Sequence, residues 1–133
     1  MNGILLVTHA SLGQALVQCV VHVYGACPDC IEVCSVQGGD EESKARVKAT
    51  LEHLRMQHDS VLILTDVYGA SPSNTATQLV EPGRVAVLSG VNVPMLLRAL
   101  SYRDESLDVL CQKALDGGMR GIVCTKTLPE KGL

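Results

Sequence analysis

A histidine directly follows an unbroken apolar run: Gly3-Ile4-Leu5-Leu6-Val7 leads through Thr8 into His9. An imidazole titrates near neutrality, so it offers a free ring nitrogen that can act as a nucleophile. Asp66 ends a second apolar run that begins at Val61. If the two runs are neighbouring strands, the Asp66 carboxylate can accept a hydrogen bond from one ring nitrogen of His9. That contact fixes the tautomer, turns the other nitrogen outward and stabilises the charge left on the ring after attack. The loop Gly69-Ala70-Ser71-Pro72-Ser73-Asn74 supplies a third element. Gly69 and Ala70 let the backbone approach a bound group. Ser71, Asn74 and the next helix N-terminus bring donors and a positive dipole end, which suits a phosphoryl oxygen. Taken singly, His9 also reads as a surface residue and Asp66 as a turn cap. Their joint placement at strand ends is what favours chemistry.

Strand-like and helix-like segments alternate around these residues. Gly3 to Thr8, Ile31 to Val36, Val61 to Asp66 and Arg84 to Ser89 read as strands. Continuous apolar runs of this kind fit parallel strands covered on both faces. Leu12 to Tyr24 has helical spacing and stops at Gly25. A second helix spans Asp40 to about His58, with acidic residues in its first turn where the dipole favours them. A third starts at Pro72 with Ser71 as its N-cap and runs to about Val80. Pro94 to Tyr102 and Leu107 to Leu115 complete the helices, the last stopping at Gly117-Gly118. Gly121 to Thr125 is a final strand candidate. The fold class is therefore α/β: an open, doubly wound, mostly parallel sheet with helices on both faces. Sites in such sheets open beyond the carboxyl ends of the strands, which singles out His9, Gln37, Asp66 and Gly90.

The 133 residues fit one domain, 1–133, able to bury roughly two-thirds of its unfolded surface. Apolar content is 47% with no Trp or Phe, so the core must be aliphatic. Net charge is −3 without any Lys/Arg cluster, which argues against a nucleic-acid partner or an anionic membrane surface. No segment is long and apolar enough for membrane insertion, and the N-terminus reads as a strand without a basic leader, so the default location is cytoplasmic. The six cysteines are expected as reduced thiols. Cys19, Cys111 and Cys124 fall in apolar patterns and read as core filler.

Thr8-His9-Ala10, Val61 to Asp66, Tyr68-Gly69-Ala70-Ser71-Pro72-Ser73-Asn74 and Gly90-Val91-Asn92-Val93-Pro94-Met95-Leu96 occur in this order along nearly the whole chain. In these motifs the sequence resembles the enzyme IIA component of the mannose family of the bacterial sugar phosphotransferase system. The resemblance implies that His9 is the phosphorylated histidine and Asp66 its partner. It implies the phosphocarrier protein HPr as donor and a IIB component as acceptor, in sugar uptake or in a regulatory relay. It also implies a homodimer that exchanges a final antiparallel strand, here Gly121 to Thr125. The donor already carries a labile phosphoramidate, so neither a metal nor another cofactor is called for.

Rival readings are weaker. A receiver-like signalling domain phosphorylated on Asp66 needs an acidic pair after the first strand to hold Mg²⁺, and Thr8-His9 stands there instead. A histidine phosphatase needs an Arg beside the histidine to clamp phosphate, and none lies close in sequence. A redox or zinc role for Cys27-Pro28-Asp29-Cys30 lacks the following helix that activates a redox pair, and one Cys-x-x-Cys supplies only two zinc ligands.

Overall fold

The computed structural model describes residues 1–130. Its centre is a four-stranded sheet in the order β2-β1-β3-β4, with every pair parallel. The strands are β1 (Gly3–Thr8), β2 (Ile31–Ser35), β3 (Val61–Thr65) and β4 (Val85–Ser89). Every residue of β1 and β3 is buried, because these two strands are central and covered on both faces. The edge strands β2 and β4 are only partly buried.

Alternation along the strands divides the apolar residues between two cores. Ile4, Leu6, Leu62 and Leu64 face α1 (Leu12–Tyr24), α4 (Val93–Ser101) and α5 (Leu107–Arg120), where Leu16, Val20, Leu96, Leu100 and Leu110 meet them. Leu5, Val7, Val61 and Ile63 face α2 (Glu41–Arg55) and α3 (Ser71–Thr77) through Val47, Leu51, Leu54 and Ala76. Helices thus lie on both faces, as the doubly wound reading requires. Three helices are capped by side chains: Asp40 accepts from the Ser43 amide, Asn92 from Met95 and Ser106 from Val109. Each such cap is worth about 1 kcal/mol.

Four expectations are corrected. The last helix does not stop at Gly117-Gly118 but continues to Arg120. A Cβ on Gly117 would lie 2.6 Å from the Arg98 side chain, and one on Gly118 2.8 Å from Met95. These glycines are there for close approach to α4, not for a helix stop. Residues 121–125 form no strand within the chain, and Ile122 and Val123 are exposed. Ser71 is not the N-cap of α3. Ala70 takes that position, and Ser71 begins the helix. Finally, Cys19 and Cys124 are exposed and Cys111 is half-buried, while Cys30 and Cys34 are the buried thiols. Cys30 and Cys34 flank or lie in β2 and point into the cores, whereas Cys19 sits on the outer side of α1.

Candidate functional site

The strand order reverses between β1 and β3. Helix α1 carries the chain from β1 to β2 on one side, while β3 lies on the other side of β1. Connections leaving in opposite directions open a crevice beyond the carboxyl ends of these two strands. His9 and Asp66 are the first residues past those ends.

His9 sits where the chain turns from β1 into α1. The turn passes through Ala10 at φ +46°, a left-handed conformation unusual for alanine and the kind of local strain that functional sites retain. Thr8, fully buried, accepts the Gly13 amide on its hydroxyl at 2.8 Å and so pins the start of α1 to the end of β1. Gly13 is required for that approach, since a Cβ would come within 2.6 Å of Val33. Pairing of Val7 with Thr65 then sets the two strand ends side by side.

The Asp66 carboxylate is nearly buried, its side chain only 8% exposed, whereas the His9 ring is 43% exposed. One carboxylate oxygen accepts from the His9 backbone amide at 2.9 Å and lies 2.8 Å from Nδ1 of the ring. The other accepts from the Val67 amide at 2.9 Å. Burial pushes the Asp66 carboxyl up, but the His9 amide, the His9 ring and the Val67 amide outweigh it. The net effect holds the group ionised below the usual carboxylate range. A carboxylate on Nδ1 makes that nitrogen the N–H donor, so Nε2 carries the lone pair. Among the described residues Nε2 has no hydrogen-bond partner, and it is not buried.

The β3–α3 loop is shaped by its own polar groups. Gly69 adopts φ +86°, which favours glycine. Asn74 donates its side-chain amide to the Gly69 carbonyl at 3.0 Å, and its backbone amide bonds the Ala70 carbonyl. Asn74 is therefore a clasp within the loop. Ser71 and Ser73 occupy the first turn of α3, where helix amides have no carbonyl partner in the preceding turn. Among the described residues Gln37 and Gly90, the other strand-end residues, make no hydrogen bond to the pair. Gln37 lines a separate polar cleft of about 570 Å³ beside β2. Gly90 and Val91 donate their amides to the Thr65 carbonyl. Three buried or half-buried hydroxyls, Thr65, Ser73 and Ser89, form a connected set that residue types alone did not reveal. Its one sequence signal is that a hydroxyl residue ends both β3 and β4.

The Cys27–Cys30 segment lies at the opposite end of the sheet, before β2. Burial raises both thiols, and the nearby Asp29 and Glu32 charges raise Cys27 further. Among the described residues no group of three or more His, Cys, Asp or Glu side chains is arranged to hold a metal ion. Among them, too, no helix is long and apolar enough to cross a membrane.

Fold and pair together define a doubly wound α/β domain that presents an aspartate-oriented imidazole at its switch point. The particular family follows from comparison with known proteins. Residues 3–114 match the EIIA-man family, described as the PTS system fructose IIA component, and the chain belongs to that family. The PTS system mannose-specific EIIAB component of Escherichia coli (strain K12) is 39% identical over 72 residues, which cover 52% of this chain and 22% of that protein. The match thus spans less than a quarter of that relative's length. The PTS system fructose-specific EIIA component of Bacillus subtilis (strain 168) is 28% identical over 107 residues, 79% of this chain and 73% of that one. The crystal structure of the phosphotransferase system component EIIA from Streptococcus agalactiae superposes with a TM-score of 0.80 at 25% identity, covering 93% of this chain and 97% of that chain. The mannose/sorbose-specific IIA subunit from Enterococcus faecalis has the same fold, with a TM-score of 0.81 at 23% identity over 97% of each chain.

Proposed function

We propose that this protein is a phosphocarrier in which His9 accepts a phosphoryl group from the phosphohistidine of HPr. It then passes the group to a IIB component for sugar uptake, or to another acceptor in a regulatory relay. The observation that carries this reading is the His9–Asp66 contact, with Nδ1 engaged at 2.8 Å and Nε2 free on a half-exposed ring. The Nε2 lone pair attacks phosphorus. The donor's phosphorus–nitrogen bond breaks, and its electron pair returns to the donor imidazole, which leaves neutral with a proton on its other nitrogen. The His9 ring keeps the Nδ1 proton and becomes imidazolium-like. The Asp66 carboxylate, ionised and in place before the reaction, stabilises that charge without reorganisation. Passage onward reverses these steps on a new acceptor.

The phosphoryl oxygens are received by the β3–α3 loop. Gly69 and Ala70 give the backbone close access, Ser71 offers its hydroxyl and amide, and Asn74 holds the loop in shape. Exposed Val67 and Tyr68 beside Asp66 provide apolar surface on which a protein partner can seat. A homodimer accompanies this reading. The β4 edge is open, and Ile122, Val123 and Leu128 are exposed on the segment after α5. Adding that segment of a second copy to an open edge would cover both. Light scattering at micromolar concentration should give twice the chain mass, and a monomer would contradict the exchange.

The phosphoryl assignment is tested by incubation with enzyme I, HPr and labelled phosphoenolpyruvate. The label should be lost in acid and survive base. Loss in both would point to an acyl phosphate on Asp66 and to the receiver-like reading instead.

A further inference from the structure

Next to Asp66, starting from the residue that precedes it, runs a chain of three hydroxyls. Thr65 donates to Ser89 Oγ at 2.9 Å, and Ser89 Oγ lies 3.0 Å from Ser73 Oγ. Thr65 is fully buried and Ser73 only 1% exposed, so neither hydroxyl can turn to water for a substitute. The chain joins three elements that reach the crevice separately. Thr65 ends β3 and is covalently next to Asp66. Ser73 lies in the first turn of α3. Ser89 ends β4 and faces Thr65 in the strand register. The Thr65 carbonyl is held as well, by the Gly90 and Val91 amides at 3.0 and 2.9 Å. The residue that carries Asp66 is thus fixed through both its hydroxyl and its carbonyl.

Resting on the phosphocarrier reading, we propose that Thr65, Ser73 and Ser89 are positioning residues for phosphoryl transfer. Their hydroxyls lock the end of β3 to the first turn of α3 and the end of β4. Asp66, which aims the His9 ring, and the loop that receives the phosphoryl group therefore move as one body. Their role is in the alignment of attack, since a small misplacement of reacting groups lowers rate steeply. Removing the central link affects all three elements. Ser89→Ala leaves the buried Thr65 and Ser73 hydroxyls without partners, which also lowers stability. The triple variant Thr65→Val/Ser73→Ala/Ser89→Ala removes every member, so no buried hydroxyl is orphaned and stability is largely recovered. Alignment is not recovered, and this separates positioning from mere support of the fold.

The experiment measures transfer from phosphorylated HPr with wild type, Ser89→Ala, Ser89→Thr and the triple variant, together with the nitrogen shifts of the His9 ring. Ser89→Ala and the triple variant should lose kcat by about tenfold with KM for phosphorylated HPr unchanged. Their ring shifts should show a mixture of tautomers. Ser89→Thr, which keeps the hydroxyl, should retain most of the wild-type kcat and a single tautomer. A triple variant that folds, keeps a single tautomer and transfers at the wild-type rate would overturn the inference. So would a rise in KM at constant kcat, which would place these residues in partner docking. Failure of wild type itself to take label on His9 is a separate result and would sink the phosphocarrier reading.

Discussion

At the carboxyl end of the sheet, His9 and Asp66 meet at 2.8 Å across 57 positions of sequence. At the amino end, Cys30 and His58 line one cleft of about 230 Å³ and their polar atoms do not engage each other. There His58 Nδ1 lies 3.3 Å from the Met1 carbonyl, and the Cys27 thiol turns to the Pro28 carbonyl. Both ends carry side chains capable of chemistry. The difference lies in what each imidazole has left over. His9 is bound on one nitrogen and keeps the other at the surface, whereas the unpartnered Nε2 of His58 is buried and out of reach. Topology explains the asymmetry, because connections diverge only at the carboxyl ends of β1 and β3 and leave a crevice there.

The two ends of the sheet should separate most clearly under substitution. His9→Ala should abolish acceptance of phosphate from phosphorylated HPr while circular dichroism shows an intact fold. Cys27→Ser/Cys30→Ala should transfer at the wild-type rate. Normal labelling of the histidine variant, or collapse of transfer in the cysteine variant, would reverse the ranking of the two ends. Asp66→Ala comes next. It should slow transfer by about a hundredfold and leave some labelling, because in the proposed mechanism the carboxylate orients the ring and does not attack. Unchanged rates would reduce Asp66 to a structural role.

Acid sensitivity sharpens the same contrast. The Asp66 carboxyl is held below its ordinary range, so in acid the folded protein binds fewer protons than the unfolded chain. Its stabilisation is present above the unfolded value and disappears as pH falls through the lower folded one. Wild type should therefore lose stability more steeply than Asp66→Asn below about pH 4, as followed by denaturant midpoints. Parallel curves would mean that the hydrogen bonds to Asp66 contribute nothing net. The smallest effect concerns the floor of the site. Gly13→Ala must displace Val33 or Thr8 and should cost about 1–3 kcal/mol. Transfer should fall less than in Asp66→Ala, since His9 keeps its carboxylate partner.

The parts legible in the sequence were those governed by local pattern. The runs at Gly3–Thr8 and Val61–Thr65 are apolar throughout because both strands are buried on both faces, and their polar followers, His9 and Asp66, had to emerge at one edge. The contact between these two follows once the strands are neighbours. What stayed hidden was set by tertiary packing. Gly117 and Gly118 look like a helix stop, yet they admit Arg98 and Met95 of the adjoining helix. Ser71 looks like a cap, but Pro72 falls one position deeper in α3 and Ala70 takes the cap site. Asn74 looks like a ligand donor, and its amide bonds the Gly69 carbonyl. The Thr65–Ser89–Ser73 chain depends on strand register, which no single segment encodes.

In the proposed mechanism phosphate travels on the nitrogen that Asp66 leaves free. Phosphorus and nitrogen NMR on protein phosphorylated through HPr tests it most directly, by identifying both the modified residue and the modified atom. The expected result is one phosphohistidine at His9, bonded through Nε2, with Nδ1 still protonated toward Asp66. A phosphoryl group on Nδ1, on Asp66 or on another histidine would contradict it.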